Sequence, residues 1–303
     1  MKVFELHKKM KYQAFIMFII VFLFILLYGD FINHQRSKPI VTAIMFHSLN
    51  PKGPQAKEED GLIITPKNLE KDLRYLKQQG FTFIDYKQMI NMFVKAPNTT
   101  DSNAYKNILV TFDDGYRDNY KYAYPILKAE AVKALINVVV YYIEKRDPAI
   151  PDHYLSWSQI NEMKKSGIIQ IESHSYNSHH YIKLDKGMGP MLAGRKEKNG
   201  VVESYKDFEK RIRIDLVKSQ KTIMKRTGKK PDVIAFPFGW AAPETKKIAN
   251  ELGFKVQMGV KPGINYNLGD LKKLKRIAVK NSYSPEQLTE KIKYYIGAKL
   301  LLP

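Results

Sequence analysis

Residues 107–118 read Asn107-Ile108-Leu109-Val110-Thr111-Phe112-Asp113-Asp114-Gly115-Tyr116-Arg117-Asp118. The first six are apolar, β-branched or aromatic enough to predict a buried strand over Asn107–Phe112. The run then stops on two adjacent carboxylates and a glycine, which permits a turn that a residue with a Cβ resists. A pair of acids at the end of a buried strand sits where sheets of parallel strands carry their sites. An exposed Asp-Gly turn would produce the same local string, so the reading depends on the rest of the chain.

Outward from this strand the pattern alternates. Strands are predicted at Val41–His47, Phe81–Ile84, Lys133–Val140, Ile168–Ser173, Asp232–Pro237, Phe254–Val260 and Lys275–Val279. Helices are predicted at Asn68–Gln79, Tyr86–Val94, Asp118–Glu130, Ser156–Lys165, Tyr205–Thr227, Pro243–Leu252 and Pro285–Ile296. Strands alternating with helices imply parallel pairing through right-handed crossovers, hence an α/β sheet or barrel. Seven or eight strands favour a barrel. The polar stretch Lys95–Lys106 reads as a loop. Pro51–Glu59 and Lys183–Gly200 read as long polar insertions, and the second is expected to be a lid or a substrate-contacting segment.

The chain has 303 residues, is 44% hydrophobic and contains no cysteine. That excludes disulfides, thiolate zinc sites and cysteine nucleophiles, and leaves oxygen and imidazole as metal ligands. At the N-terminus Lys8, Lys9 and Lys11 precede an apolar run from Ala14 to Tyr28. A positive flank followed by an apolar run is the pattern of a signal peptide or signal anchor. No small-residue cleavage site follows, so an anchor is expected, with the lysines inside and the remainder outside. The organisation read from this is a basic cytoplasmic segment at 1–12, the anchor or signal at 13–33, and one catalytic domain at 34–303. Net charge is +20, which suits an anionic surface such as phospholipid head groups or phosphate-rich wall polymers. Nucleic acid is not expected as a partner, because the lysines are scattered and no recognised motif is present.

Three further strand ends carry chemistry. Glu172-Ser173-His174-Ser175-Tyr176-Asn177-Ser178-His179-His180 holds three of the seven histidines, and imidazole with carboxylate suits a divalent transition metal. His174 and His179 would lie about 140° apart on a regular helix. A shared ion therefore requires a loop there; a polar surface turn is the alternative reading. Ile234-Ala235-Phe236-Pro237-Phe238-Gly239-Trp240 ends a strand in a sharp turn able to aim a backbone N–H into a pocket. Ala43-Ile44-Met45-Phe46-His47 ends a strand in a histidine.

Taken together, Thr-Phe-Asp-Asp-Gly, the His-Ser run with its second histidine, and Phe-Pro-Phe-Gly resemble the polysaccharide deacetylase family (the NodB-homology group, carbohydrate esterase family 4). Within it the resemblance is closest to the circularly permuted poly-β-1,6-N-acetyl-D-glucosamine N-deacetylases, and it covers about residues 41–282. It implies a single distorted (β/α) barrel, of (β/α)7 type, preceded by the hydrophobic helix. It implies Asp113 as general base, with Asp114, His174 and His179 as ligands of one divalent transition metal ion: zinc, cobalt, nickel or iron(II). It further implies His47 as general acid, the Phe238 backbone N–H as an oxyanion donor, and Arg276 as the group that positions Asp113. Tyr116, Tyr176 and Trp240 are candidate sugar-stacking platforms. Phe238 stands where tyrosine is commoner in the family, and a backbone donor survives that change. The implied activity is N-deacetylation of an extracellular acetylated glucosamine polysaccharide at the bacterial surface, in support of biofilm adhesion. Peptidoglycan or chitin oligomers are alternative substrates; a membrane-tethered glycan-binding protein is the alternative of a different class.

Overall fold

The computed structural model describes residues 2–36, 39–95, 104–145 and 153–301. Most of the expected loop at Lys95–Lys106 lies outside the described residues. Helix α1 spans Lys2–Arg36 and contains a 20-residue stretch, Met10–Gly29, long and apolar enough to cross a membrane. None of that stretch is buried against protein.

The body is built on eight parallel strands: β1 (Val41–Phe46), β2 (Thr82–Phe83), β3 (Asn107–Phe112), β4 (Ala134–Val138), β5 (Ile169–Ser173), β6 (Val233–Ala235), β7 (Val256–Met258) and β8 (Arg276–Ala278). Seven run in the order β7-β6-β5-β4-β3-β1-β8, and β2 pairs with the start of β3. A parallel bridge between Met258 and Leu274 brings the two ends together, so the sheet is a nearly closed barrel, as expected from the resemblance. β3 pairs with β1 along its whole length, Val41 opposite Asn107 through Phe46 opposite Phe112. All six residues of both strands are buried, which is why these two runs read as continuous apolar stretches without a polar alternation.

Helices α2 (Pro66–Gln78), α3 (Tyr86–Lys95), α4 (Tyr124–Ala129), α5 (Val140–Glu144), α6 (Trp157–Lys165), α7 (Tyr205–Thr227), α8 (Pro243–Glu251) and α9 (Pro285–Leu301) follow. Local chemistry fixes several ends. Ser156 and Gln159 form a reciprocal capping box on α6, Thr65 caps α2 ahead of Pro66, and α7 starts on Ser204 and stops on Gly228 at φ +73°.

Two sequence expectations are corrected. The valine run predicted as strand to Val140 leaves the sheet after Val138, and α5 begins at Val140. The Lys183–Gly200 segment is not an irregular loop: Tyr181–Leu184 pairs with Gly187–Pro190, and Glu197–Lys198 pairs with Val201–Val202, both antiparallel.

Candidate active site

β1, β3, β5 and β6 end at the same rim, and a cavity of about 590 Å³ opens there. His47, Asp113, Asp114, His174, His179 and Phe238 all line it. Residues as far as 191 positions apart in the chain, His47 and Phe238, thus meet because parallel strands finish on one side of the sheet.

The turn after β3 is held in the left-handed region at both Asp114 (φ +73°) and Gly115 (φ +78°). A Cβ at Gly115 would come 3.0 Å from Val138 Cγ1, so both conformation and space require glycine. The turn splits the two acids. Asp113 is buried; its Oδ1 accepts from Arg276 Nη1 at 2.8 Å and Asn137 Nδ2 at 2.8 Å, and its Oδ2 accepts from Arg276 Nη2 at 2.7 Å. Arg276 is itself fully buried on β8 and donates Nε–H to the Gly259 carbonyl at 2.8 Å. Burial by itself would raise the Asp113 carboxyl. The Arg276 charge, with His174 and His47 behind it, outweighs burial and holds Asp113 well below the usual carboxylate range. Asn137 carries no motif and was not foreseen; only its register on β4 places it beside Asp113.

Asp114 is the other kind of acid. Its Oδ1 is buried without a well-aligned hydrogen bond and faces His174 Nε2 at 3.3 Å and His179 Nε2 at 3.1 Å. The His174 Nδ1 lies 2.7 Å from the Ala235 carbonyl. A carbonyl only accepts, so Nδ1 carries a proton, which leaves Nε2 as the ring nitrogen turned towards Asp114. One ligand atom from each of Asp114, His174 and His179 lies within 4.8 Å of the other two, so a single cation placed among them would meet all three. Ligands ~2.0–2.2 Å from one tetrahedral ion stand about 3.4 Å apart, close to the spacing seen. The donor set therefore fits a divalent transition metal.

His47 follows β1, and the side chain of Asn119 fixes its carbonyl at 2.8 Å. Burial lowers its pKa below the ordinary imidazole value, with Asp113 and Asp114 pulling the other way. Phe238 occupies the left-handed region at φ +58°, strain of the order of 1–3 kcal/mol for a non-glycine residue. Its neighbour Gly239 could not be otherwise, since a Cβ there would lie 2.4 Å from Val260 Cγ2 and 2.8 Å from the Val260 backbone nitrogen. The ring of Phe238 packs on His179 at 4.5 Å.

Of the three aromatic platforms, Tyr116 lines the cavity and stacks on Tyr154 at 5.5 Å. Trp240 is 64% exposed and lies beyond the cavity wall. Tyr176 is instead buried behind the histidine turn, with its hydroxyl on Glu144 at 3.1 Å and Lys218 over its ring; contrary to the expectation, it offers no face to the cavity for a sugar. Glu172, adjacent in sequence to the histidine run, points the other way and pairs with Lys229 at 2.7 Å. Within the two insertions, Glu59 borders the cavity, whereas no residue of Lys183–Gly200 lines it.

The polysaccharide deacetylase family model matches residues 100–257, and the chain belongs to that family. Among curated proteins it is 27% identical over 73% of its length to YxkH of Bacillus subtilis (strain 168), a protein named for the same family. It is 22% identical over 82% of its length to the poly-β-1,6-N-acetyl-D-glucosamine N-deacetylase of Escherichia coli K12. The matched region spans 64% and 38% of those two proteins. Among solved structures, a de-N-acetylase from Aggregatibacter actinomycetemcomitans superposes with a TM-score of 0.74 at 23% identity, over 83% of this chain and 99% of that one. At that identity the likeness is one of fold.

Proposed function

We propose that the chain is a metal-dependent N-deacetylase of extracellular poly-β-1,6-N-acetyl-D-glucosamine. The carrying observation is the division of labour between neighbours: Asp113 locked to Arg276 and Asn137, Asp114 turned towards two imidazoles. A glycan-binding protein has no use for that set. The substrate assignment is supported by the name of the Escherichia coli relative.

Asp114, His174 and His179 would hold one divalent ion, with zinc, cobalt, nickel and iron(II) all suited to the donors. When bound, such an ion supplies Lewis acidity at the acetyl carbonyl and eases ionisation of water. Arg276 keeps Asp113 ionised, the form that accepts the proton of the attacking water. The Phe238 backbone N–H donates to the acetyl oxygen as negative charge builds there, a contribution of about 3 kcal/mol for one well-placed donor. His47 then delivers a proton to the glucosamine nitrogen, so the C–N bond breaks to acetate and a free amine. Tyr116 and Trp240 contact the sugars. The amines of the product protonate near neutral pH, and a cationic polymer adheres to anionic cell surfaces, the biofilm role implied by the resemblance. Residues 13–33 act as anchor or signal, 1–12 stay inside, and the catalytic domain from 34 onwards works at the outer face of the cell. The domain's own positive charge holds it against the anionic envelope.

Acetate release from defined β-1,6 and β-1,4 N-acetylglucosamine oligomers tests both halves of this reading. Release from the β-1,6 series that a chelator abolishes and added zinc or cobalt restores is the expected result. Release from β-1,4 oligomers alone removes the substrate assignment. No release by metal-loaded protein from either series removes the enzyme.

A further inference from the structure

His174 and His179 are held at one point by an irregular turn, and the structure shows what shapes it. Ser175 is in the left-handed region at φ +73°, and its Oγ accepts the Ser178 N–H at 3.0 Å. The two amides between the histidines that remain both turn outwards, away from the cavity. They end on a single side chain, Asp215 of α7, whose Oδ2 accepts the Tyr176 N–H at 3.0 Å and whose Oδ1 accepts the Asn177 N–H at 2.9 Å. Asp215 is only 9% exposed and, among the described residues, no cation comes within ion-pair distance of it. One turn further along the same helix face, Ser219 Oγ lies 2.7 Å from Ser173 Oγ, which accepts the Ser175 N–H at 3.2 Å.

A buried carboxylate in mid-helix without an ion-pair partner is unfavourable unless hydrogen-bond donors replace its water. Here the donors belong to the histidine turn, so helix and turn hold each other in place. We infer that Asp215 is a positioning residue for the metal: it fixes the turn so that the Nε2 atoms of His174 and His179 both face Asp114. This rests on the reading that those three side chains bind a divalent ion. Asp215 touches neither the ion's donors nor the cavity, and no motif marks it in the sequence.

Asp215→Asn keeps the shape but presents an amide NH2 to one of the two backbone N–H groups, so one clamp bond becomes a donor facing a donor. The test is metal affinity in the full-length protein, solubilised in detergent and stripped of metal. Zinc is titrated in competition with a chromophoric chelator, cobalt by its absorption bands, and the melting temperature of the metal-free protein is recorded alongside. Expected for Asp215→Asn is zinc and cobalt affinity lower by about 10–100-fold, the usual range for groups that orient metal ligands, with activity returning at saturating metal. Leu216→Ala, a buried apolar truncation on the same helix, is expected to lower the melting temperature and leave affinity unchanged. Wild-type affinity in Asp215→Asn overturns the inference, as does an equal loss in Leu216→Ala. If Asp215→Asn does not fold, Asp215→Glu carries the same comparison, since it keeps the charge and displaces the carboxylate. Wild-type protein that binds neither ion removes the metal reading itself, and this inference with it.

Discussion

Asp113 and Arg276 form a fully buried bidentate pair, and the two consequences of breaking it are separable. Asp113→Asn removes the proposed base, so acetate release is expected to fall by about 10²–10⁴-fold. It also leaves the guanidinium buried without its partner, which costs about 3–5 kcal/mol. Replacing both residues, Asp113→Asn with Arg276→Met, removes the stranded charge as well. Denaturant melts should then show stability partly regained while acetate release stays lost. A double variant no more stable than Asp113→Asn would contradict the account of the pair. The sequence made Asp113 and Arg276 candidates. Their contact across β1 is a matter of strand order, which no local pattern encodes.

The turn at Pro237–Gly239 and the helix α2 show what whole elements contribute. Gly239→Ala drives a Cβ into Val260, displaces Phe238 and should lower both stability and kcat/KM. Gly228→Ala at the end of α7 meets nothing within 4 Å; only its φ of +73° is strained, by about 1 kcal/mol. Melting and acetate-release measurements on the pair separate turn geometry from strain alone, and equal activity in the two variants would refute the role given to the turn.

On α2, Asp72 is 1% exposed and neither of its carboxylate oxygens has a hydrogen-bond partner among the described residues. Burial, with the Glu286 charge adding to it, pushes Asp72 up to about 7. In the unfolded chain it ionises near pH 4, so between pH 4 and 7 the unfolded state binds fewer protons than the folded one. Stability contributed at this position is therefore full below about pH 4, falls as pH rises to about 7, and is level above. The whole fall is of the order of 4 kcal/mol. Urea titrations of wild type and Asp72→Asn across this range should differ by that slope; parallel curves would show Asp72 ionised in the fold.

For the molecule as a whole, the apolar stretch of α1 is not part of the core. A chain lacking residues 1–33 is expected to fold with an unchanged melting temperature and to be soluble without detergent. With its excess of lysine and arginine, it should sediment with anionic lipid vesicles at low salt and be released near 1 M salt, where charges are screened beyond about 3 Å. Equal binding to neutral vesicles would refute the proposed electrostatic retention. The barrel was legible at this scale because its central strands are buried on both faces and its helices carry clear caps, as at Ser204 and Gly228. The Lys183–Gly200 hairpins were not, since strands of two to four residues leave too short a pattern to read. The valines after Asn137 misled for another reason: side-chain preference for strand gave way where the chain left the sheet at Val138.

By itself the sequence determined the alternation of strand and helix, the apolar N-terminal helix, and the residue types at each strand end, because those depend on composition and spacing along the chain. The tertiary structure alone decided which of them act together. It set Asp113 against Arg276 and Asn137, turned Asp114 towards His174 and His179, moved Tyr176 out of the cavity and brought Asp215 behind the histidine turn. The physical reason is that a buried charge or N–H must find its partner in space. In a parallel barrel that partner comes from a neighbouring strand or a covering helix far away in sequence.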